Sequence, residues 1–412
     1  MALAVVPSSC AEFKQALSVA ENELMNLDVV FDVPQQIAEG LQNGSLERIG
    51  GVVRDSSSKK VVMWLQEGGM GITKGIPIPP LPVGADALVD ANPLLATANL
   101  GVSVTGFAMV LQQLNRLSDQ IRVMEAKVDQ ISHKLDDQAL AQLKAGINAC
   151  QNAVELQDPD LRIQMAGQAL TTLHAARQYF NQQVLRSAGK AEATSSEYVG
   201  LAFVALAAEV QTYLQLDEAA KASRTLAQGL IELRPGLTQL MHAVLDCTCH
   251  YLKPEFSGKV DFGLLLWLHN GFRRMKCNAG EPAEQLSASE LFEIIRPNIT
   301  EVFKSHEDWH GEIPQVIVDT SDVPDWWLGP LNQGTDKSAR LRQVMEELAE
   351  GLNKIVALVE AHDRLQAQVM QLEEMERMGL KPSELQTQLQ LPEGHAAAVV
   401  LDSRWMPQKL MA

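Results

Sequence analysis

The sequence contains few cysteines, and they are scattered along the chain. Five occur in 412 residues: Cys10, Cys150, Cys247, Cys249 and Cys277. An odd number at irregular spacing in a chain of this length does not indicate the disulfide framework of a small secreted domain. We therefore expect a reducing compartment, the cytoplasm.

The N-terminal sequence does not indicate a secretory signal. The N-terminal sequence MALAVVPSSCAEF has no basic n-region, and its apolar stretch is too short for an h-region. We expect any membrane contact to be peripheral, made from the cytoplasm or after a non-standard release.

Positive charge is scarce. The chain has 34 basic and 51 acidic side chains and a formal net charge of -17. Its longest basic cluster consists of Arg273, Arg274 and Lys276. A chain of this charge repels phosphate backbones, so we expect no general nucleic-acid binding.

The common catalytic signatures of nucleotide and serine hydrolases are missing. The sequence has no G-x-x-x-x-G-K-[ST] loop, no G-x-G-x-x-G fingerprint and no nucleophile elbow. No cofactor is predicted, and a non-enzymatic role is favoured.

The chain nevertheless has ample material for folded domains, since 46% of its residues are apolar. Helical and β-rich patterns predict a mainly α protein, an elongated helical bundle with two long coiled-coil helices and a small N-terminal α+β domain. The predicted organisation is a small α+β domain with a β-hairpin over 1–67, a Gly/Pro-rich linker over 68–90, a helical bundle over 91–312, a loop with a tryptophan pair over 313–335, a second long helix over 336–379 and an irregular tail over 380–412.

Within the first domain, a helix is predicted at 8–25 and a strand at 27–33. A short helix over 35–41 ends at Asn43-Gly44. Two β-rich runs, 46–54 and 60–66, flank the polar loop 55–58. A further short strand is predicted near 398–401.

The helical period continues through Leu143, Ile147, Cys150 and Val154 and is broken at Asp158-Pro159. Further helices are predicted at 161–185, 198–216 and 218–233, the last ended by Pro235-Gly236. The run Tyr198–Val210 is apolar around its whole circumference, which is typical of a buried bundle centre and secondarily of a membrane role. For Phe262–Phe272, core packing is favoured over a position in a membrane interface.

Residues 93–135 are the most informative stretch. An uncharged apolar run, PLLATANLGVSVTGFAMVL, occupies 93–111 and continues into a heptad-patterned helix. The residues predicted to engage membrane are Leu94, Leu95, Leu100, Val102, Val104, Phe107, Met109, Val110 and Leu111. Those predicted to form the oligomerising seam are Leu114, Leu117, Ile121, Met124, Val128, Ile131 and Leu135.

The length of segment 93–111 leaves three interpretations open. About 20 apolar residues span a bilayer core of about 30 Å, so this run of about 19 lies at the threshold. It is a core helix of the bundle, a segment that inserts conditionally or lies in the interface, or a transmembrane helix. Its small residues favour close helix packing in either solvent.

The layout of residues 90–378 resembles that of the α-helical pore-forming toxins and related membrane-perturbing effectors. In that family a marginally hydrophobic segment joins long coiled-coil helices, and a further long helix closes the bundle. The resemblance implies a hidden membrane segment released by a conformational change. The β-rich N-terminal unit and the cysteine-containing middle depart from the family, and no functional residue is carried over.

A metal-enzyme interpretation depends on the string HEDWH at 306–310. Histidines at i and i+4 of a helix can bind Zn²⁺, and the intervening glutamate, Glu307, can act as general base. Gly311 and Pro314 are expected to end the helix directly after the string. Glu346, Glu347 or Glu350 could supply a third ligand, but the heptad pattern explains all three as solvated positions of the second long helix. A zinc-dependent hydrolase therefore ranks third.

A second possible zinc group consists of His242, Cys247, Cys249, His250 and Cys277. The spacing Cys247-Thr-Cys249 is one residue tighter than structural sites normally use. Buried cysteines are favoured over a metal site here, so no metal ligand is assigned.

These patterns lead to two main functional hypotheses. The first is a non-enzymatic coiled-coil effector or adaptor in a bacterial toxin or defence context. It would oligomerise or bind a partner protein through its two long coiled-coil helices and engage a lipid membrane through 93–111. The alternative is a soluble helical scaffold whose partner is another protein.

Overall fold

A computed structural model describes residues 35–49, 52–56, 61–67, 137–192, 194–246, 248–252, 260, 262–304, 314–317, 337–379, 381–382 and 396–400. These residues are mainly helical, with eight α-helices and four short strands. The predicted mainly α class is confirmed.

The described N-terminal residues form one helix and three strands of a small antiparallel sheet. Helix α1 (Gln35–Gln42) is followed by a turn in which Gly44 has a positive φ of 76°, which suits glycine. The strands that follow are β1 (Leu46–Ile49), β2 (Val52–Asp55) and β3 (Val61–Glu67). The prediction of one continuous run over 46–54 is wrong: β1 and β2 are an antiparallel pair in which Ile49 opposes Val52. The dipeptide Gly50-Gly51 is a sequence signal for a two-residue hairpin turn. The β-rich residues on both sides of it led to the prediction of one continuous strand.

The fourth strand of this sheet comes from the other end of the chain. Strand β4 (Ala396–Val400) pairs antiparallel with β3, which gives the order β1-β2-β3-β4. The strand predicted near 398–401 thus exists, but begins earlier. It joins chain segments more than 300 residues apart.

Helices α2 (Asp137–Glu155), α3 (Pro159–Ser187) and α4 (Ser195–Gln215) agree with the sequence periodicity. The turn between α2 and α3 has a clear local cause. The Asp158 carboxylate accepts hydrogen bonds from the backbone N–H groups of Asp160 and Leu161, at 2.9 and 3.2 Å. Pro159 begins α3, where its missing N–H has no helical partner to lose.

Helix α4 is the centre of the bundle. It packs against α2, α3, α8 (Lys337–Met378) and α5 (Ala219–Leu245). Side chains on all sides of α4 are buried, including Val199, Leu201 and Phe203, each 0% exposed. The interpretation of Tyr198–Val210 as a buried centre is confirmed.

The prediction that α5 ends at Pro235-Gly236 is wrong. Pro235 lies inside α5, which runs to Leu245. At Gly236 an added Cβ would lie 2.5 Å from Cγ1 of Val184 on α3, so glycine allows the two helices to pack closely. Tertiary packing on α3 offsets the hydrogen bond that proline cannot donate.

The apolar run 262–272 forms helix α6 (Phe262–Met275). Its leucines Leu264, Leu265, Leu266 and Leu268 are at most 5% exposed. The prediction of core packing is confirmed. Helix α7 (Ala288–Lys304) follows and also contains a proline, Pro297.

The second long helix, predicted over 336–379, corresponds to α8, a single helix of 42 residues. The residues that give its sequence a heptad pattern include Leu352, Ile355 and Leu358. They are buried, but so are the neighbouring Val356 and Val359. The helix packs on α5, α6, α4 and the sheet. Over this part α8 is enclosed by the bundle, so its burial extends beyond the narrow stripe of a coiled-coil seam.

Several predicted features lie outside the described residues. They are the helix and strand at 8–33, the linker 68–90, segment 93–111, the seam 114–135, the string at 306–310 and the tryptophan pair at 326–327. Among the helices that the structure describes, none combines the length and the apolar character needed to cross a membrane.

Candidate functional site

A cluster of buried charges joins helices α3, α4 and α5. Arg177 of α3 is 2% exposed and donates from Nε to Oε1 of Glu209 on α4, at 2.6 Å. Its Nη1 donates to Oε2 of Glu232 on α5, at 2.5 Å. Its Nη2 lies 3.0 Å from Nδ1 of His174, one turn earlier on α3. We call Arg177, Glu209, Glu232 and His174 the central charge cluster.

Neutral side chains complete this cluster. Gln178 and Gln228 donate to the two carboxylate oxygens of Glu232, at 2.8 and 3.2 Å. Asn181 donates to the backbone oxygen of Glu232 at 3.2 Å. The cluster reaches the surface at the His174 side chain, which is 56% exposed. These bonds hold three helices in one register.

Burial and ion pairing compete at each charged group of the cluster. Burial raises the pKa of Glu209 above its usual value, and Arg177 only partly opposes this. Burial also disfavours charge on Arg177, but its two carboxylate partners outweigh that effect and raise its pKa. At Glu232, which is less buried, hydrogen bonds from Arg177 and Gln228 prevail over burial and lower the pKa.

The geometry favours a structural role for these groups. The Arg177 guanidinium already donates to both carboxylates and lies against His174, so it is committed to neighbours on three helices. A buried charge network of this kind holds helices in register and does not by itself define a reaction.

A second ion pair, buried at Asp363 and half-buried at Arg274, joins α6 to α8. Arg274 donates from Nε and Nη2 to the same oxygen, Oδ2 of Asp363, at 2.9 and 2.7 Å. The guanidinium also lies 5.9 Å from the ring centroid of Trp267. His362, 2% exposed, places Nδ1 at 3.6 Å from Oδ1 of Asp363. Burial opposes ionisation of Asp363, yet Arg274 lowers its pKa.

Cys150 illustrates a thiol held in its neutral form. Its Sγ lies 3.0 Å from Oγ1 of Thr212 and 3.5 Å from Oε1 of Gln215. Burial raises its pKa to about 11. Only the thiolate is reactive, and the raised pKa keeps the thiol protonated at neutral pH. Cys150 is therefore a poor nucleophile, and we interpret it as a core residue.

The predicted cysteine and histidine group is dispersed where the structure describes it. His242 is exposed and pairs through Nδ1 with Asp246 at 2.9 Å. Cys249 is buried, with Sγ 3.4 Å from the backbone oxygen of Ile295. Cys277 is half-buried near the end of α6, and Cys247 lies outside the described residues. Within the part of the chain that the structure describes, no three His, Cys, Asp or Glu side chains are placed to hold a metal ion.

Three predicted sites lie outside the described part of the chain. They are the membrane-engaging residues at 94–111, the oligomerising seam at 114–135 and the string at 306–310. These predictions therefore stay predictions.

Sequence reasoning missed both of these ion pairs. One signal was present: Glu209 is an acidic residue inside the otherwise apolar run Tyr198–Val210. A carboxylate buried on a central helix requires a partner. The identity of that partner, Arg177, could not be read from a separation of 32 residues.

A comparison of the chain with known protein families, curated proteins and solved structures finds no match.

Proposed function

We propose that the protein is a non-enzymatic effector or adaptor that oligomerises and engages a lipid membrane through segment 93–111. Support begins with the sequence, in which an uncharged apolar run of about 19 residues leads directly into a heptad-patterned helix. Such an arrangement suits a protein that meets a membrane or a partner helix.

One observation on the bundle carries the proposal further. The competing interpretation of segment 93–111 is a core helix of the bundle. The centre of the described bundle is held by α4, which packs against helices α2, α3, α5 and α8. A second apolar helix is therefore not required at that central position, which favours a role for the segment elsewhere.

Flotation with liposomes of anionic phospholipid tests the proposal. Wild-type protein is expected to float, and Val104→Asp and Ala108→Asp to float poorly, because a central aspartate costs about 2.5 to 3.5 kcal/mol on insertion. Ile294→Asp is the matched control, since Ile294 is 52% exposed on α7. It should float like wild type. Equal flotation of all variants, or none by wild type, rejects membrane engagement.

A soluble helical scaffold that meets its partner at a surface other than this part of α8 is the second candidate, and the packing of α8 favours it. Leu352, Ile355 and Leu358 are buried within the chain's own bundle, so over this part α8 builds the scaffold and does not meet a partner. Absence of flotation together with a stable folded state would favour this candidate.

A further inference from the structure

The outward side of helix α3 carries no charge over most of its length. Between Arg162 and Arg186 its only Asp, Glu, Lys or Arg is Arg177, which is buried in the central charge cluster. The exposed residues from 161 to 185 are Leu161, Ile163, Gln164, Gly167, Gln168, Thr171, His174, Ala175, Gln182 and Leu185.

The neighbouring helix α2 also exposes few charges. Its exposed residues from 138 to 152 are Gln138, Ala141, Gln142, Ala145, Asn148 and Asn152. The two helices are in close contact, since an added Cβ at Gly146 of α2 would lie 2.7 Å from Cγ of Leu173 on α3. Uncharged surface on α2 thus accompanies that on α3.

Such a surface is unusual for this chain. Charged residues make up 21% of the sequence, and the net charge is -17. A surface helix normally directs charged residues to solvent, as α7 does with exposed Glu290, Glu293 and Arg296. Depletion of charge is a property of the centres of protein interfaces. Three of the five large apolar side chains that are exposed in the described part of the chain also lie on α3: Leu161, Ile163 and Leu185.

The pattern on α3 reads the same in both directions. Steps of three and four residues along the helix define one stripe, in which all residues are exposed except the half-buried Gln178. The stripe is Leu161, Gln164, Gln168, Thr171, Ala175, Gln178, Gln182 and Leu185. Reversal of the helix places Leu161 at the position of Leu185, each glutamine at the position of a glutamine, and Thr171 at the position of Ala175.

We propose that α3 is the contact helix of a symmetric dimer, in which it pairs antiparallel with α3 of a second copy of this chain. A twofold axis would pass between Thr171 and Ala175. Leu161 of one copy would pack on Leu185 of the other, and Gln164 would face Gln182. Gln168 would face Gln178, whose Nε2 already donates to Glu232, so Gln178 would enter this contact as an acceptor through Oε1. A twofold interface must be complementary to itself, and the reversible pattern meets that condition.

The chemistry of the surface favours a second copy over other occupants. A glutamine amide both donates and accepts, so two such side chains match each other without a charged partner. Two copies that each carry a charge of -17 repel, and an uncharged face is where they approach at least cost. A lipid surface is disfavoured, because four of the eight stripe residues are glutamines. The proposal does not depend on segment 93–111.

The mass of the protein in solution, measured as a function of concentration, tests the dimer. Wild type is expected to pass from monomer to dimer. Thr171→Glu with Ala175→Glu places four like charges at the twofold axis and should raise the dissociation constant at least about tenfold. Thr171→Lys with Ala175→Lys should do the same. An equimolar mixture of the two variants should form a heterodimer, because Glu then faces Lys.

The control adds the same charge at another exposed site. Ile294→Glu with Asn298→Glu on α7 should dimerise like wild type. Circular dichroism checks that each variant is folded, and recovery by mixing separates loss of contact from loss of fold. A monomeric wild type, or a dimer that persists in both the Glu and the Lys variant, overturns the proposal. So does a dimer lost only in Leu117→Asn with Met124→Asn, which would assign association to the predicted seam.

Discussion

At the scale of single residues, the described bundle depends on a few ion pairs that are buried wholly or in part. Arg177 and Glu209 are 2% and 3% exposed and join α3 to α4, while Arg274 and Asp363 join α6 to α8. A buried pair is weak evidence of net stabilisation, but removal of one partner leaves an uncompensated charge. These residues are therefore sensitive positions even without a catalytic role.

Arg177→Met should destabilise the protein by about 3 to 5 kcal/mol, because the carboxylate of Glu209 would stay buried without its counter-ion. Urea unfolding followed by circular dichroism measures the change. Arg186→Met, at an exposed position of the same helix, should change stability by less than about 0.5 kcal/mol. The double variant Arg177→Met with Glu209→Leu should recover much of the loss. A wild-type unfolding midpoint for Arg177→Met would contradict this account.

Asp363 should make stability depend on pH in the acid range. Because Arg274 lowers its pKa below the ordinary value of 3.8, the folded state binds this proton more weakly than the unfolded state. Its stabilising contribution is full above that value and is lost as the pH falls through the folded pKa. Glu209, with a raised pKa, acts in the opposite sense.

Comparison of urea midpoints at neutral pH and below pH 3.8 tests this contribution. Asp363→Asn should lose less stability on acidification than wild type. Glu155→Gln, at the exposed end of α2, should follow the wild-type profile. An unchanged acid dependence in Asp363→Asn would show that the pair with Arg274 contributes nothing in this range.

At the scale of elements, packing decides where helices end and how near they approach. Helix α5 runs through Pro235, and glycine at 236 allows contact with α3. A comparable contact joins α8 to the turn 314–317, where a Cβ on Gly351 would lie 2.0 Å from the backbone oxygen of Ile317. Val316 in this turn donates its backbone N–H to the oxygen of Ala191. The turn is thus held between α8 and the bundle.

Gly351→Ala should destabilise the protein by about 1 to 3 kcal/mol, since a backbone atom must move to admit the methyl group. The control is Gly167→Ala on α3, where no atom lies within 4 Å of the added Cβ. It should instead stabilise by about 0.5 to 1 kcal/mol through helix propensity. Thermal unfolding compares the two. Stabilisation by both changes would mean that the turn does not contact Gly351.

At the scale of the whole molecule, the two ends of the described chain meet in one sheet. β4 pairs with β3, and α8 packs on β1, β2 and β3. Arg54 of β2 is 1% exposed and places Nη1 3.5 Å from Sδ of Met370 on α8. The sheet is consequently coupled to the helical part of the molecule.

Removal of residues 396–412 should lower the thermal midpoint and expose apolar surface, because β3 would lose its partner strand and become an edge. Binding of a hydrophobic dye and thermal unfolding measure both effects. Removal of residues 401–412 alone keeps β4 and serves as the control. Identical behaviour of the two truncations would show that β4 adds no stability.

The sequence by itself determined the helices whose causes are local. The period of apolar residues and its break at Asp158-Pro159 predict α2 and α3, and the apolar circumference of α4 predicts its burial. Only the tertiary structure decided that α5 passes Pro235, that β4 completes the N-terminal sheet, that α8 is enclosed, and that Arg177 and Arg274 pair with Glu209 and Asp363. Caps and periodicity are expressed within a few turns of chain, whereas these pairings join residues from 32 to more than 300 positions apart and arise only when the helices pack.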